Sequence, residues 1–95
     1  MANRIKSDGP TKRIKAHVES LGATAFYIKG RSGSGCGGEP DLCVGFNGRN
    51  HLWEVKADKG KLSDKQKLFH SNWRGMNIAI VRNEVDADIA LGLVP

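Results

Sequence analysis

Three charged side chains stand where short strands should be apolar. In "EPDLCVGFNGRNHLWEVK", Glu39 to Lys56, Asp41 opens one apolar run, and Glu54 and Lys56 close another. Between the runs lies Asn47-Gly48, the strongest short signal for a two-residue hairpin turn. With that turn Phe46 pairs with Arg49, Leu42 with Trp53 and Asp41 with Glu54. A four-residue loop over Asn47 to Asn50 would instead set Asp41 opposite Lys56. Side chains alternate along a strand, so either register places Asp41, Glu54 and Lys56 on one face and Leu42, Val44, Phe46, Trp53 and Val55 on the other. A three-residue loop would break the arrangement.

Carboxylates at adjoining strand positions repel each other. A divalent cation removes the repulsion and uses both groups as oxygen ligands. Mg2+ suits such a pair, because it needs only a couple of carboxylates and keeps its waters and substrate phosphate oxygens. Lys56, on the same face, could orient or activate an attacking water, or stabilise charge on a phosphodiester as it is cleaved. The plainer alternative is a charge cluster on a half-exposed sheet, with Lys56 ion-paired to Asp41 or Glu54.

The surrounding segments must position these groups. In "GKLSDKQKLFHSNWRG" a helix opens at Ser63, and Ser63 with Gln66 fits the Ser-x-x-Gln capping box. Gln66, Phe69, His70 and Trp73 share one stripe of that helix, so Gln66 faces inward. It is either a cap alone or also an amide that reaches a phosphate or a metal-bound water. Upstream, Pro10 suits the first turn of a helix, Ile14, Val18 and Leu21 recur at helical spacing, and Gly22 ends it. "TAFYIK", Thr24 to Lys29, reads as a strand, "NIAIV", Asn77 to Val81, as another, and "EVDADIALGLV" as closing helical turns. The glycine-rich "GRSGSGCGGE", Gly30 to Glu39, lacks the Gly-Lys-Ser/Thr of a phosphate loop. It is a flexible connection, or a loop lying close to a phosphate backbone with Arg31 touching it.

The chain has 95 residues, the size of one domain, and its 15 Lys and Arg against 10 Asp and Glu leave a net charge of +5. That balance favours a polyanion as partner, most often nucleic acid. No apolar run is long enough to span a bilayer, and the N-terminal residues lack a signal peptide's apolar segment, so a cytoplasmic protein without a membrane partner is expected. Cys36 and Cys43 then read as free thiols. His17, His51 and His70 have no zinc-motif spacing, and no Cys-x-x-Cys occurs.

Asp41 after Pro40, and Glu54-Val55-Lys56 one hairpin later, resemble the PD-(D/E)xK nuclease signature. The glycine before the motif, the "GKLSDKQ" that follows it and the closing "NIAIVRNEVDA" are similar to the VRR-NUC (virus-type replication-repair nuclease) branch, and to its stand-alone phage-type members in length. The resemblance implies a restriction-endonuclease-like α/β core, a small mixed sheet flanked by helices in the order α-β-β-β-α-β-α, with residues 1–95 as a single nuclease domain. It implies that Asp41 and Glu54 hold Mg2+ or Mn2+ with the Val55 carbonyl, that Lys56 is the catalytic lysine and that Gln66 sits beside the site. It further implies homodimers acting on branched, Holliday-junction-like DNA.

Two positions depart from the family. Its early-helix glutamate has no clear counterpart here. Asp8 is the preferred substitute as a metal ligand, its plain alternative being a helix cap. Glu19 lies about 140° around the wheel from Ile14, at roughly 100° per residue, and should face solvent. Glu39 stands where the family often has a small or apolar residue; it is a spare ligand or an exposed loop residue, the latter preferred. Lys12, Arg13, Lys15, Lys29, Arg31, Lys59, Lys61 and Lys65, with Lys67, form a basic set suited to phosphates rather than to base edges. The expectation is a metal-dependent DNA endonuclease. A nucleic-acid-binding or assembly protein on a nuclease-like fold is the alternative, and a small interaction module with no nucleic-acid role is the third reading.

Overall fold

The computed structural model describes residues 8–28 and 37–94. Helix α1 (Asp8–Ser20) carries Pro10 in its first turn, where a missing N–H costs nothing. Thr11, Ile14 and Val18 recur three and four residues apart and are buried. Leu21, expected in that stripe, is exposed, because the chain has already turned: Leu21 and Ala23 both donate backbone N–H to Val18 O, at 3.0 Å each. Thr11 takes the stripe position instead.

A four-stranded sheet follows in the order β1 (Thr24–Tyr27), β2 (Leu42–Phe46), β3 (Arg49–Val55), β4 (Ala79–Val81). The first three strands are antiparallel and β4 runs parallel to β3. Parallel neighbours need a crossover, and this one carries α2 (Asp64–Asn72). Helix α3 (Glu84–Ala90) follows β4, so the mixed sheet and the element order both agree with the expectation. Strand β1 stops short of Lys29 and β4 starts later than Asn77. Lys29, Arg31 and Cys36 lie outside the described residues, and Cys43 is a half-buried free thiol.

The core lies on one face of the sheet. Ala25, Leu42, Val44, Trp53, Val55 and Val81 meet Ile14 and Val18 of α1 and Ala87 and Leu91 near α3. The two helices are tied to each other by Arg13 Nε to Glu84 Oε2 at 2.8 Å, and by His17 Nε2 to Asp88 Oδ1 at 2.8 Å. Strand alternation aims Glu54 at the other face, where α2 covers it. No helix among the described residues is long and apolar enough to cross a membrane.

Candidate active site

The turn that aligns the two strands is the two-residue form. Asn47 (φ 54°) and Gly48 (φ 80°) both adopt the left-handed conformation, as a turn matched to strand twist requires. Phe46 pairs with Arg49 and Leu42 with Trp53, which excludes the four-residue loop. Just before β2, Asp41 donates its N–H to Trp53 O at 2.9 Å, continuing the ladder. Its carboxylate does not simply confront Glu54: Oδ2 accepts the Val55 N–H at 2.8 Å. The like charges of neighbouring strands are thus kept at adjoining places by main-chain hydrogen bonding.

Glu54 is completely buried, although it is an acid at the end of a strand. A buried carboxylate is tolerated only with hydrogen-bond partners. Gln66, itself 9% exposed, donates from Nε2 to Glu54 Oε2 at 3.0 Å. The helix cap dictates which way that amide faces. Gln66 Oε1 accepts the Ser63 N–H at 2.8 Å while Ser63 Oγ accepts the Gln66 N–H at 3.1 Å, so the amide nitrogen is left to point at Glu54. The two readings of Gln66 are therefore one arrangement: the cap orients the donor.

One turn further along α2, His70 Nε2 lies 3.4 Å from Glu54 Oε1. Burial, and then the nearby Lys56 ammonium, hold the His70 pKa below its ordinary value. The contact sets a ring nitrogen against a carboxylate oxygen, and the tautomer with its hydrogen on Nε2 makes it an N–H donor to Glu54. The sequence places His70 on the stripe of Gln66 without giving it a role at the site; its i, i+4 relation to Gln66 was the available signal. Phe69 and Trp73 complete the stripe by stacking at 5.8 Å, but Trp73 is exposed rather than inward.

Lys56 ends the motif half-buried, its N–H bonded to Val81 O of β4 at 3.1 Å. The loop after it is clasped by Arg82, whose Nη1 donates to Gly60 O at 2.8 Å, Ala57 O at 2.7 Å and Asp58 O at 3.2 Å. Nothing in local sequence marks Arg82 for this, since the contact spans more than twenty residues. The exposed Lys59, Lys61, Lys65 and Lys67 line the stretch from β3 into α2. Lys12 is exposed, Arg13 is paired with Glu84, and Lys15 is bonded to Glu19 at 2.9 Å and lies over the Tyr27 ring. These three sit on α1, the helix packed on the sheet face away from Glu54. Glu19 faces solvent as expected. Glu39 does not behave as a solvated loop residue: it is half-buried, and Oε1 accepts the Gly37 N–H at 3.1 Å. Asp8 is the first residue of α1, and its side chain lies outside the described residues.

The donor set fits a hard divalent cation in type: two carboxylates brought together by one hairpin, Glu54 already oriented by α2. Among the described residues, no group of three or more His, Cys, Asp or Glu is gathered closely enough to hold a metal ion by itself. Mg2+ requires no such cage, because waters and substrate phosphates supply its remaining positions.

No family profile matches the chain, and no curated protein sequence matches it. A solved structure described as a "VRR_NUC domain" does match, with a TM-score of 0.69 and 28% identity over 92% of this chain and 97% of that one. Near-complete coverage in both directions means that sheet, helices and connections correspond together. On that correspondence the chain has the nuclease fold of a VRR_NUC domain, in support of its resemblance to the VRR-NUC family.

Proposed function

We propose that this protein is a Mg2+- or Mn2+-dependent DNA endonuclease, a single nuclease domain over residues 1–95 that cuts branched DNA as a homodimer in a bacterial or phage-infected cytosol. The observation that carries the reading is Glu54: a carboxylate with no exposure, clamped by an amide that a helix cap has oriented, beside Asp41 on a nuclease fold. Burying an acid with this much apparatus is unfavourable for stability alone. Asp41 and Glu54, with the Val55 carbonyl, would hold the ion, and Asp8 is the substitute for the family's first-helix acid. When bound, the ion supplies a Lewis acid for water and phosphate oxygens. Gln66 fixes the Glu54 carboxylate in place. Lys56 directs its ammonium at the charge that develops on the phosphate. The exposed lysines at positions 59, 61 and 65 grip backbone phosphates without reading bases, with Lys29 and Arg31 as further contacts, whereas Lys12, Arg13 and Lys15 stand on α1 at the sheet face away from Glu54.

Incubation of a labelled four-way junction and a matching linear duplex with Mg2+, Mn2+ or chelator tests the reading. Metal-dependent cutting of the junction is expected from wild type and not from Lys56→Ala. A second reading is motivated by the family's early-helix acid, which has no clear counterpart in this chain. A nucleic-acid-binding or assembly protein with little catalysis would bind both DNAs in a salt-sensitive way and cut neither under any metal. Light scattering with and without DNA checks the dimer, which a monomer in both states would exclude.

A further inference from the structure

Glu54 turns both of its oxygens toward α2, and two side chains one helical turn apart answer them. Gln66 Nε2 takes Oε2 at 3.0 Å and His70 Nε2 stands 3.4 Å from Oε1. One hydrogen bond does not fix a carboxylate, since the terminal torsion of Glu is broad and the free oxygen can swing about the held one. Two donors on one rigid helix remove that freedom, and the capping box at Ser63 sets the rotation at which both are presented. We propose that His70 is a positioning residue for Glu54: with Gln66 holding one oxygen, the imidazole Nε2–H steadies the other and fixes the plane in which the carboxylate meets the metal. Each carboxylate oxygen has two lone pairs, so Oε1 can accept the imidazole N–H and still serve an ion. His70 retains 16% side-chain exposure against none for Glu54, which places it at the mouth of the buried pair rather than inside it.

The inference rests on the nuclease reading, and the test separates the two. Mn2+ is titrated by calorimetry into wild type, His70→Phe, His70→Gln and His70→Asn, each first checked for a folded thermal transition. Partners of metal ligands usually contribute about 10–100-fold in metal affinity, and His70→Phe is expected to lose that much. Gln places an amide N–H about where Nε2 stands and should recover most of the loss. Asn offers the same group one methylene shorter and should not. A structural role alone would not sort Gln from Asn by reach. Wild type that binds Mn2+ no better than folded His70→Phe or His70→Asn overturns the proposal and leaves the nuclease reading standing. Wild type that takes up no Mn2+, alone or with duplex DNA present, overturns both.

Discussion

Gly38 is the residue on which the approach of α2 to the sheet turns. Its φ is +83°, and a Cβ built there would overlap the Lys65 carbonyl oxygen, lie 2.7 Å from the Lys65 carbonyl carbon and 3.1 Å from Gln66 N. All three atoms are backbone of the helix's first turn, so no side-chain rotation relieves the contact. Gly48 offers a matched control, with φ +80° and nothing within 4 Å of its Cβ position. Gly48→Ala should show the left-handed strain alone, about 1–2 kcal/mol. Gly38→Ala carries the same strain and must also push the start of α2 away from Glu54. That loosens the 3.0 Å bond from Gln66 and leaves a buried carboxylate short of a donor, about 1–3 kcal/mol more. Urea unfolding of both variants should therefore differ by about 1–3 kcal/mol, a sizeable part of the about 5–15 kcal/mol that holds a domain together. Equal losses in the two variants would refute the claim that close packing at Gly38, rather than its backbone angle, sets the position of α2.

Gln66→Glu keeps a cap acceptor for the Ser63 N–H but sets a second carboxylate against buried Glu54. It should melt well below Gln66→Ala at pH 7 and close the gap as pH falls toward 5, which thermal scans across pH will show. His51 has a pKa lowered first by burial and then by Arg49. A histidine whose folded pKa lies below its unfolded value contributes stability above about pH 6.5 that is lost as pH falls through the folded value, since the unfolded chain takes up protons more readily. His70 is shifted the same way, so urea midpoints should drop from pH 7 to pH 5, and His51→Phe should flatten that decline. Trp53 Nε1 is buried without a hydrogen-bond partner among the described residues. Trp53→Phe should accordingly lose well under the about 3–5 kcal/mol expected of Trp53→Ala, because it removes an unsatisfied donor along with the volume.

The hairpin was legible because its information is local. Asn47-Gly48 fixes the turn, the alternation of Leu42, Val44, Trp53 and Val55 fixes the face, and Asp41 and Glu54 follow by counting. The capping box was legible for the same reason. What the sequence left ambiguous at Gln66 was whether cap and site compete, and only the placement of α2 over Glu54 shows that they cooperate. Arg82 escaped, and Glu39 and His70 were named without their contacts, because their surroundings are set by the folded chain. Leu21 misled because helical periodicity carries no mark of where the chain turns away. The basic residues of α1 show the limit of reasoning from charge: Arg13 and Lys15 fit a phosphate-binding set by type, yet the fold engages them with Glu84 and Glu19.

The double duty of Gln66 bears on how relatives are interpreted. A descendant that abandoned phosphodiester cleavage would still need Ser63 and Gln66 to start its helix and to quiet whatever stood at position 54. Selection for folding alone would preserve the glutamine. Lys56 differs, because it is tied to the sheet through a main-chain N–H that any residue but proline supplies. Drift should reach position 56 first once chemistry is no longer selected. Across a lineage, persistence of the glutamine therefore reports an intact helix, whereas on the proposed function lysine at position 56 reports retained cleavage.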